Sequence, residues 1–254
     1  MRVHLLGLPN SQTHRSYALD GFAQMTIRCA TMLQRLGHEV ILYASEMNDA
    51  PCDELVCCIT LEEQQTLLGT TPYQYAAIDE KTAIWQLANP RMTREIGKRK
   101  HPHDFILTIG GGSQAVIAQA HPELMCVEYS IGYIGSFADY RVFESHAWRH
   151  ATHGFQNNDN MRWFDTVIPG FFDATEFEFC ATPDPYYVYA GRLIERKGLR
   201  IACDAARIAG VPLKIIGHGD PSLITYGEYV GAVDTPTRNR IMAHAAAMFA
   251  PTYY

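Results

Sequence analysis

The 254-residue chain has no apolar run approaching the ~20 residues that a membrane-spanning helix needs. Its opening, Met-Arg-Val-His-Leu-Leu-Gly-Leu-Pro, is broken too early by glycine and proline to serve as a signal peptide, and reads as a buried first strand. Basic charge is scarce. With 21 Lys and Arg against 27 Asp and Glu the net charge is −6, which argues against a general nucleic-acid binder but leaves room for a local basic groove. The seven cysteines are an odd number and none stands in a Cys-x-x-Cys pair, so neither a disulfide framework nor a zinc ribbon is indicated. Reduced, mostly buried thiols are expected, with Cys29, Cys126 and Cys203 inside apolar patterns, and the expected compartment is the cytoplasm. Nor is there an Asp-x-Asp pair of the kind that holds a divalent cation against a nucleotide. What remains, 47% apolar and 19% charged residues, is the composition of an ordinary globular protein of one large or two smaller domains.

Short apolar runs alternate with helical periodicities, the signature of a parallel α/β sheet. Strands are expected at Arg2–Leu8, Glu39–Ala44, Glu54–Thr60, Phe105–Ile109, Leu124–Glu128 and Asp165–Ile168. Helices are expected at Leu19–Leu36, around Tyr75–Leu87, at Ser113–Ala120 and at Val142–His150. Arg91–His103 holds most of the local positive charge and reads as a solvated helix face or loop. Phe172–Pro185 reads as a linker, which places a first domain at 1–172 and a second at 173–254. In the second, strands are expected at Tyr186–Ala190, Leu213–Ile216 and Ala247–Tyr254. Helices are expected at Leu199–Ala209 and from Thr235, as N-cap, to about His244.

The most informative stretch is Tyr186-Tyr187-Val188-Tyr189-Ala190-Gly191-Arg192-Leu193-Ile194-Glu195-Arg196-Lys197-Gly198. An aromatic strand runs into a glycine, presents two cations five positions apart, and meets a second glycine that opens a helix. Open α/β sheets bind phosphorylated ligands at the carboxyl ends of strands, next to helix N-termini. Arg192 would supply a planar, two-pronged donor and Lys197 a mobile point charge, a combination suited to a diphosphate. The competing reading is a pair of ordinary surface cations at a strand end.

This stretch resembles the Gly-Arg-Leu-x-x-x-Lys-Gly donor-phosphate motif of the retaining glycosyltransferases of family 4. Further segments follow in the family's order. Leu36-Gly37-His38-Glu39-Val40 is similar to the junction of its first helix and second strand. Val167-Ile168-Pro169-Gly170-Phe171-Phe172-Asp173 resembles its Ile-Pro-Asn-Gly-Val-Asp domain junction, with Gly170 in place of asparagine. Ile216-Gly217-His218-Gly219-Asp220 resembles its second Gly-x-Gly turn, and Tyr229-Val230-Gly231-Ala232-Val233 the strand and turn beside the nucleotide base.

The resemblance implies a GT-B-like α/β fold, two Rossmann-like domains facing a cleft, with the second incomplete in this chain. It implies transfer of a sugar from a nucleotide-diphosphate donor with retention of configuration and without a metal cofactor. Arg192 and Lys197 would be catalytic, and Gly191, Gly217, Gly219, Val230, Gly231 and Val233 would bind the donor. The acceptor is unspecified, as is the oligomeric state. Two departures stand out. The family's first loop carries paired glycines, where this chain reads Pro9-Asn10-Ser11-Gln12-Thr13-His14, so that Ser11, Gln12 and Thr13 would have to supply hydrogen bonds instead. The family's Glu-x7-Glu motif, expected just after the strand at Phe249–Tyr254, is not in the sequence, which suggests a truncated or non-catalytic nucleotide- or sugar-phosphate-binding module as the alternative. Candidate cleft or acceptor residues are Gly111, Gly112, Glu128, Ser130 and Gly132, followed by Tyr133. Glu128 would either orient an acceptor hydroxyl or cap the next loop.

Two other patterns compete. Gly110-Gly111-Gly112-Ser113-Gln114-Ala115 after a strand, with Glu128 at the end of the next, fits a dinucleotide fingerprint and would suit an NAD-dependent oxidoreductase. Against this, it lies mid-domain, without a His/Asp pair for hydride chemistry. Glu144, His146, His150 and His153 share one face of a helical pattern. They read as solvated, with Ala147 and Trp148 facing inward, more readily than as a metal site. Tyr186, Tyr187 and Tyr189 alternate as strand residues and are expected to pack rather than stack on a base.

Overall fold

The computed structural model describes residues 1–157 and 162–253. The chain forms two compact units, Met1–Phe171 and the residues from Phe172 on. Each is an α/β layer structure of Rossmann type.

In the first unit the strands are β1 (Arg2–Leu6), β2 (Glu39–Ser45), β3 (Glu54–Ile59), β4 (Phe105–Thr108), β5 (Met125–Ile131), β6 (Tyr140–Phe143) and β7 (Thr166–Val167). They pair in parallel in the order β3-β2-β1-β4-β5-β6-β7. The order reverses between β1 and β4, and the loops leaving these two strands open a crevice at their carboxyl ends. The inner strands are buried on both faces, so they read as continuous apolar runs; Leu5, Leu6, Leu42 and Ile106 are fully buried. The helices are α1 (Gly21–Arg35), α2 (Leu61–Leu68), α3 (Ala83–Arg99), α4 (Ala115–Gln119) and α5 (His146–Phe155). Asp20 caps α1 by accepting from the Phe22 and Ala23 amides. Thr60 and Glu63 form a capping box on α2.

In the first unit two stretches differ from the sequence expectation, and in the second the strand expected at Ala247–Tyr254 runs Ala245–Phe249. The helix expected near Tyr75–Leu87 begins at Ala83 and runs through Arg91 to Arg99, preceded only by a 3₁₀ turn at Tyr73–Tyr75. Pro90 removes one amide from its ladder, but buried Trp85, Ala88, Met92 and Ile96 hold both halves against the sheet. The helix expected at Val142–His150 is instead the end of β6, a cap, and α5. Ser145 makes the break by accepting from the Trp148 amide at 3.1 Å. Trp148 faces inward, whereas Ala147 is exposed; His146 and His150 are solvated, but His153 is buried beside Asp165 at 2.9 Å. Among the described residues no cluster of three or more His, Cys, Asp or Glu is placed to hold a metal.

The second unit contains β8 (Asp184–Ala190), β9 (Leu213–Ile216), β10 (Glu228–Gly231) and β11 (Ala245–Phe249). They are parallel in the order β10-β9-β8-β11, so the reversal falls between β8 and β11. Helix α6 (Leu199–Ala209) covers one face with Leu199, Ala202, Cys203 and Ala206, one apolar stripe at helical spacing. Helix α7 (Thr235–Ala243) is capped by Asp234, not Thr235: the Asp234 carboxylate accepts from the Thr237 amide at 2.9 Å, and Pro236 lies in the first turn. Tyr186 and Tyr189 are buried and Tyr187 packs on Phe249, so the three tyrosines serve packing. The seven cysteines are free thiols; Cys29, Cys58 and Cys203 are buried, Cys52, Cys126 and Cys180 half-buried, and Cys57 exposed. Among the described residues no helix is long and apolar enough to cross a membrane.

The edge of the large sheet rests on a buried ion pair. Arg141 on β6 donates to both oxygens of Asp165, at 3.0 and 2.5 Å, with both side chains almost wholly out of solvent. Removing one partner of such a pair strands the other charge at a cost of about 3–5 kcal/mol. Asp165→Ala should therefore lower unfolding stability by about that amount in chemical denaturation; a loss below about 1 kcal/mol, the worth of a surface pair, would show that the pair is not buried in solution.

Candidate functional site

Three glycine-bearing turns gather at the carboxyl ends of β8, β9 and β10. Beyond its last residue β8 continues to pair with the chain leaving β9: the Gly191 amide donates to the Ile216 carbonyl at 2.9 Å and the Leu193 amide to the His218 carbonyl at 2.8 Å. Leu193 and Gly219 form an isolated parallel bridge. Such close approach excludes side chains. A Cβ at Gly217, where φ is +146°, would lie 1.8 Å from the Gly191 carbonyl oxygen, and one at Gly219 would lie 2.6 Å from that of Leu193. The third turn closes on the second, with the Gly217 amide donating to the Gly231 carbonyl at 3.0 Å and the Tyr229 hydroxyl to the Gly217 carbonyl at 2.9 Å. Val230 and Val233 flank Gly231 and are half-buried.

This backbone platform carries Arg192. Its side chain is exposed, and its guanidinium makes no hydrogen bond or ion pair with any described residue. Lys197 ends a 3₁₀ turn, Glu195–Lys197, and is half-buried. Of the neighbouring charges, Arg200 pairs with Glu195 at 3.0 Å. The amino end of α6 is less open than the sequence suggested. Gly198 is buried, and a Cβ there would lie 2.3 Å from the Pro251 carbonyl oxygen. The His218 imidazole is held below its usual pKa, first by burial and then by the charge of Arg192.

In the first unit, the crevice at the β1/β4 reversal is a cavity of about 600 Å³ lined by the Gly110–Gly112 turn, Ser113, Phe22 and Tyr133, with Asp79, Glu80 and Lys81 also on its wall. Gly111 and Gly112 are thus placed in a cavity wall. Ser11, Gln12 and Thr13 are buried and engaged within the protein. Ser11 donates to the Asp20 carboxylate, and Gln12 donates to Gln64 at 2.9 Å while accepting from the Met47 amide at 2.7 Å. Glu128 is fully buried and accepts from the Tyr133 hydroxyl at 2.8 Å and from the Phe137 and Ala138 amides at 2.8 and 3.1 Å. It caps the loop after β5; with its oxygens so engaged, the ribose contact that a dinucleotide site would require of it is closed. Ser130 takes up a left-handed backbone conformation, φ +52°, just before that loop. Gly132 lies against Glu144, and a Cβ there would come within 2.2 Å of its carboxylate.

Sequence reasoning missed Gln114. Its side-chain oxygen accepts from Thr108 and from the Ile109 and Gly110 amides, while its amide donates to the Gly7 carbonyl at 3.0 Å. It fastens together the loops leaving β1 and β4. The signal lay inside the Gly110–Ala115 pattern, where only the glycines were weighed.

The fold is shared with glycosyltransferases of the GT-B class. AviGT4, a glycosyltransferase involved in avilamycin A biosynthesis, superposes with a TM-score of 0.69 at 18% identity, covering 98% of this chain and 68% of that one. Sucrose-phosphate synthase from Thermosynechococcus elongatus gives 0.58 at 14% identity, covering 100% and 76%. A glycosyltransferase from Rickettsia africae gives 0.58 at 11%, covering 99% and 73%. No protein-family model matches the sequence, and no curated protein matches it. The chain is thus a GT-B-type α/β protein with Rossmann-like units; at these identities the likeness speaks to fold, and function must be argued from the site.

Burial raises the Glu128 pKa above its ordinary value, against the pull of the Ala138 amide, the Tyr133 hydroxyl and the Phe137 amide. A carboxyl whose folded pKa is raised stabilises the fold while protonated, and loses that contribution as pH climbs through the folded value. Measured against Glu128→Gln, the wild-type melting temperature should therefore fall as pH rises above the ordinary carboxyl value of 4.5. A difference that grows in favour of wild type over the same range would mean that the carboxylate is stabilised as an anion.

Proposed function

We propose that this chain serves a glycosyltransferase reaction, moving a sugar from a nucleotide-diphosphate donor to an acceptor with retention of configuration. The observation that carries this reading is the exposed Arg192 guanidinium, without a protein partner among the described residues, at the carboxyl end of β8 where the strand order β10-β9-β8-β11 reverses. A cation left unpaired at a topological switch point is suited to an anionic ligand. The GT-B likeness supports the same class.

In this reading Arg192 and Lys197 bind the diphosphate, Gly191, Gly217 and Gly219 let the donor approach the backbone, and Val230, Gly231 and Val233 lie toward the nucleotide base. Breaking the glycosidic bond leaves extra negative charge on the diphosphate. Fixed cations there stabilise the transition state more than the ground state, which is the requirement for faster chemistry. A guanidinium and an ammonium meet that requirement without a divalent cation. The acceptor is assigned to the cavity of the first unit, beside Gly111, Gly112 and Tyr133.

Arg192→Ala should weaken binding of a nucleoside diphosphate about 10- to 100-fold, the worth of a charge-assisted hydrogen bond. Binding of the parent nucleoside should barely change, as read by calorimetry across uridine, adenosine and guanosine pairs. Equal losses for both would remove Arg192 from the diphosphate. In the same titrations a chelator should leave wild-type affinity unchanged; strict dependence on magnesium would overturn the metal-free reading.

A further inference from the structure

The pairing between the two turns has a constant register. Ala190 is opposite Ile216 and Leu193 is opposite Gly219, an offset of 26 in both cases (216 − 190 and 219 − 193), so Arg192 falls opposite His218. Opposite residues of parallel strands project from the same face, with the chains roughly 4.8 Å apart. His218 thus stands beside Arg192 at the carboxyl end of the sheet, half-buried, with its backbone fixed by the Leu193 amide. The two flanking glycines are closed to any Cβ, so His218 is the one side chain between them.

We infer that His218 is a third, ligand-switched cation of the diphosphate site, neutral when the site is empty and protonated when a nucleotide-diphosphate sugar is bound. This rests on the donor reading above. The elements packed against the turn carry Arg192, Glu195, Arg196 and Lys197 on the loop after β8, Glu228 and Tyr229 on β10, and Asp220 on the turn itself. Glu195 is paired with Arg200, and Asp220 accepts from the Ser222 amide at 2.9 Å. Burial and, after it, the charge of Arg192 both disfavour protonation of the imidazole. A bound diphosphate neutralises Arg192 and adds negative charge beside the ring, reversing that balance. The imidazolium then donates a hydrogen bond to phosphate that the neutral ring cannot match.

The test uses sugar nucleotides, whose diphosphate is esterified at both ends and carries no titratable proton in the neutral range, so that any proton taken up from the buffer is bound by the protein. UDP-glucose, ADP-glucose and GDP-mannose are titrated into the whole chain by calorimetry in two buffers of different ionisation enthalpy. Between about pH 8 and about pH 6, affinity for the sugar nucleotide that binds should rise about tenfold, with uptake of up to one proton per ligand. His218→Asn should abolish the uptake and flatten the profile at the weak level. His218→Lys should flatten it at the tight level. Arg192-dependent binding of wild type without proton uptake, or an unchanged profile in His218→Asn, would overturn this inference while leaving the donor site standing. Failure of all three sugar nucleotides to bind wild type at any pH would bring down both.

Discussion

The candidate site depends on one backbone arrangement, the continued parallel pairing of Gly191–Leu193 with Gly217–Gly219 beyond the ends of β8 and β9. The hydrogen bonds that make it, from the Gly191 amide to Ile216, the Leu193 amide to His218 and the Asp220 amide to Leu193, are ordinary ladder bonds carried past the sheet. They demand glycine at 217 and 219, because the facing carbonyls occupy the space a side chain would need. In exchange the arrangement brings a guanidinium and an imidazole into register on a rigid base, with Gly231 and Tyr229 of the next turn bonded onto the same backbone.

Rigidity of this kind has a chemical consequence. A cation whose backbone is already fixed has only side-chain freedom to lose when it meets a phosphate, and preorganised charge is worth more than charge that must be gathered. Arg192 has no competing carboxylate among the described residues, whereas Arg141 in the first unit is consumed by Asp165. The same residue type thus appears in two settings: buried and paired it holds a sheet edge, and exposed and unpaired among the described residues it is free for the anionic ligand proposed above. Glu128 makes a similar contrast with the surface carboxylates, its oxygens taken up by one hydroxyl and two amides of its own loop.

Much of the second unit was legible in the sequence. The apolar runs at 186–190 and 213–216 and the stripe Leu199, Ala202, Cys203, Ala206 are local patterns, and each became the expected element. The Gly-x-Gly turn was legible through its resemblance to a known motif, and the structure adds the physical reason, a close backbone approach that admits no Cβ. The first unit was harder where long-range bonds decide the structure. Gln114 meets Gly7 across 107 residues, Asn10 meets Ala77 across 67 and Gln64 meets Pro9 across 55. No window of periodicity contains both ends of such bonds. Arg141 hid β6, since a charged residue in a two-residue alternation reads as solvent-facing until its buried partner is known. Pro90 hid the unity of α3 for the opposite reason: a local breaker overruled by packing.

The most direct measurement is a crystal structure of the protein soaked with the sugar nucleotide it binds. The account predicts that the diphosphate lies at the carboxyl ends of β8 and β9, within hydrogen-bond distance of the Arg192 guanidinium and the His218 ring. Density for the diphosphate anywhere else, with the Arg192 side chain extended into solvent, would contradict it.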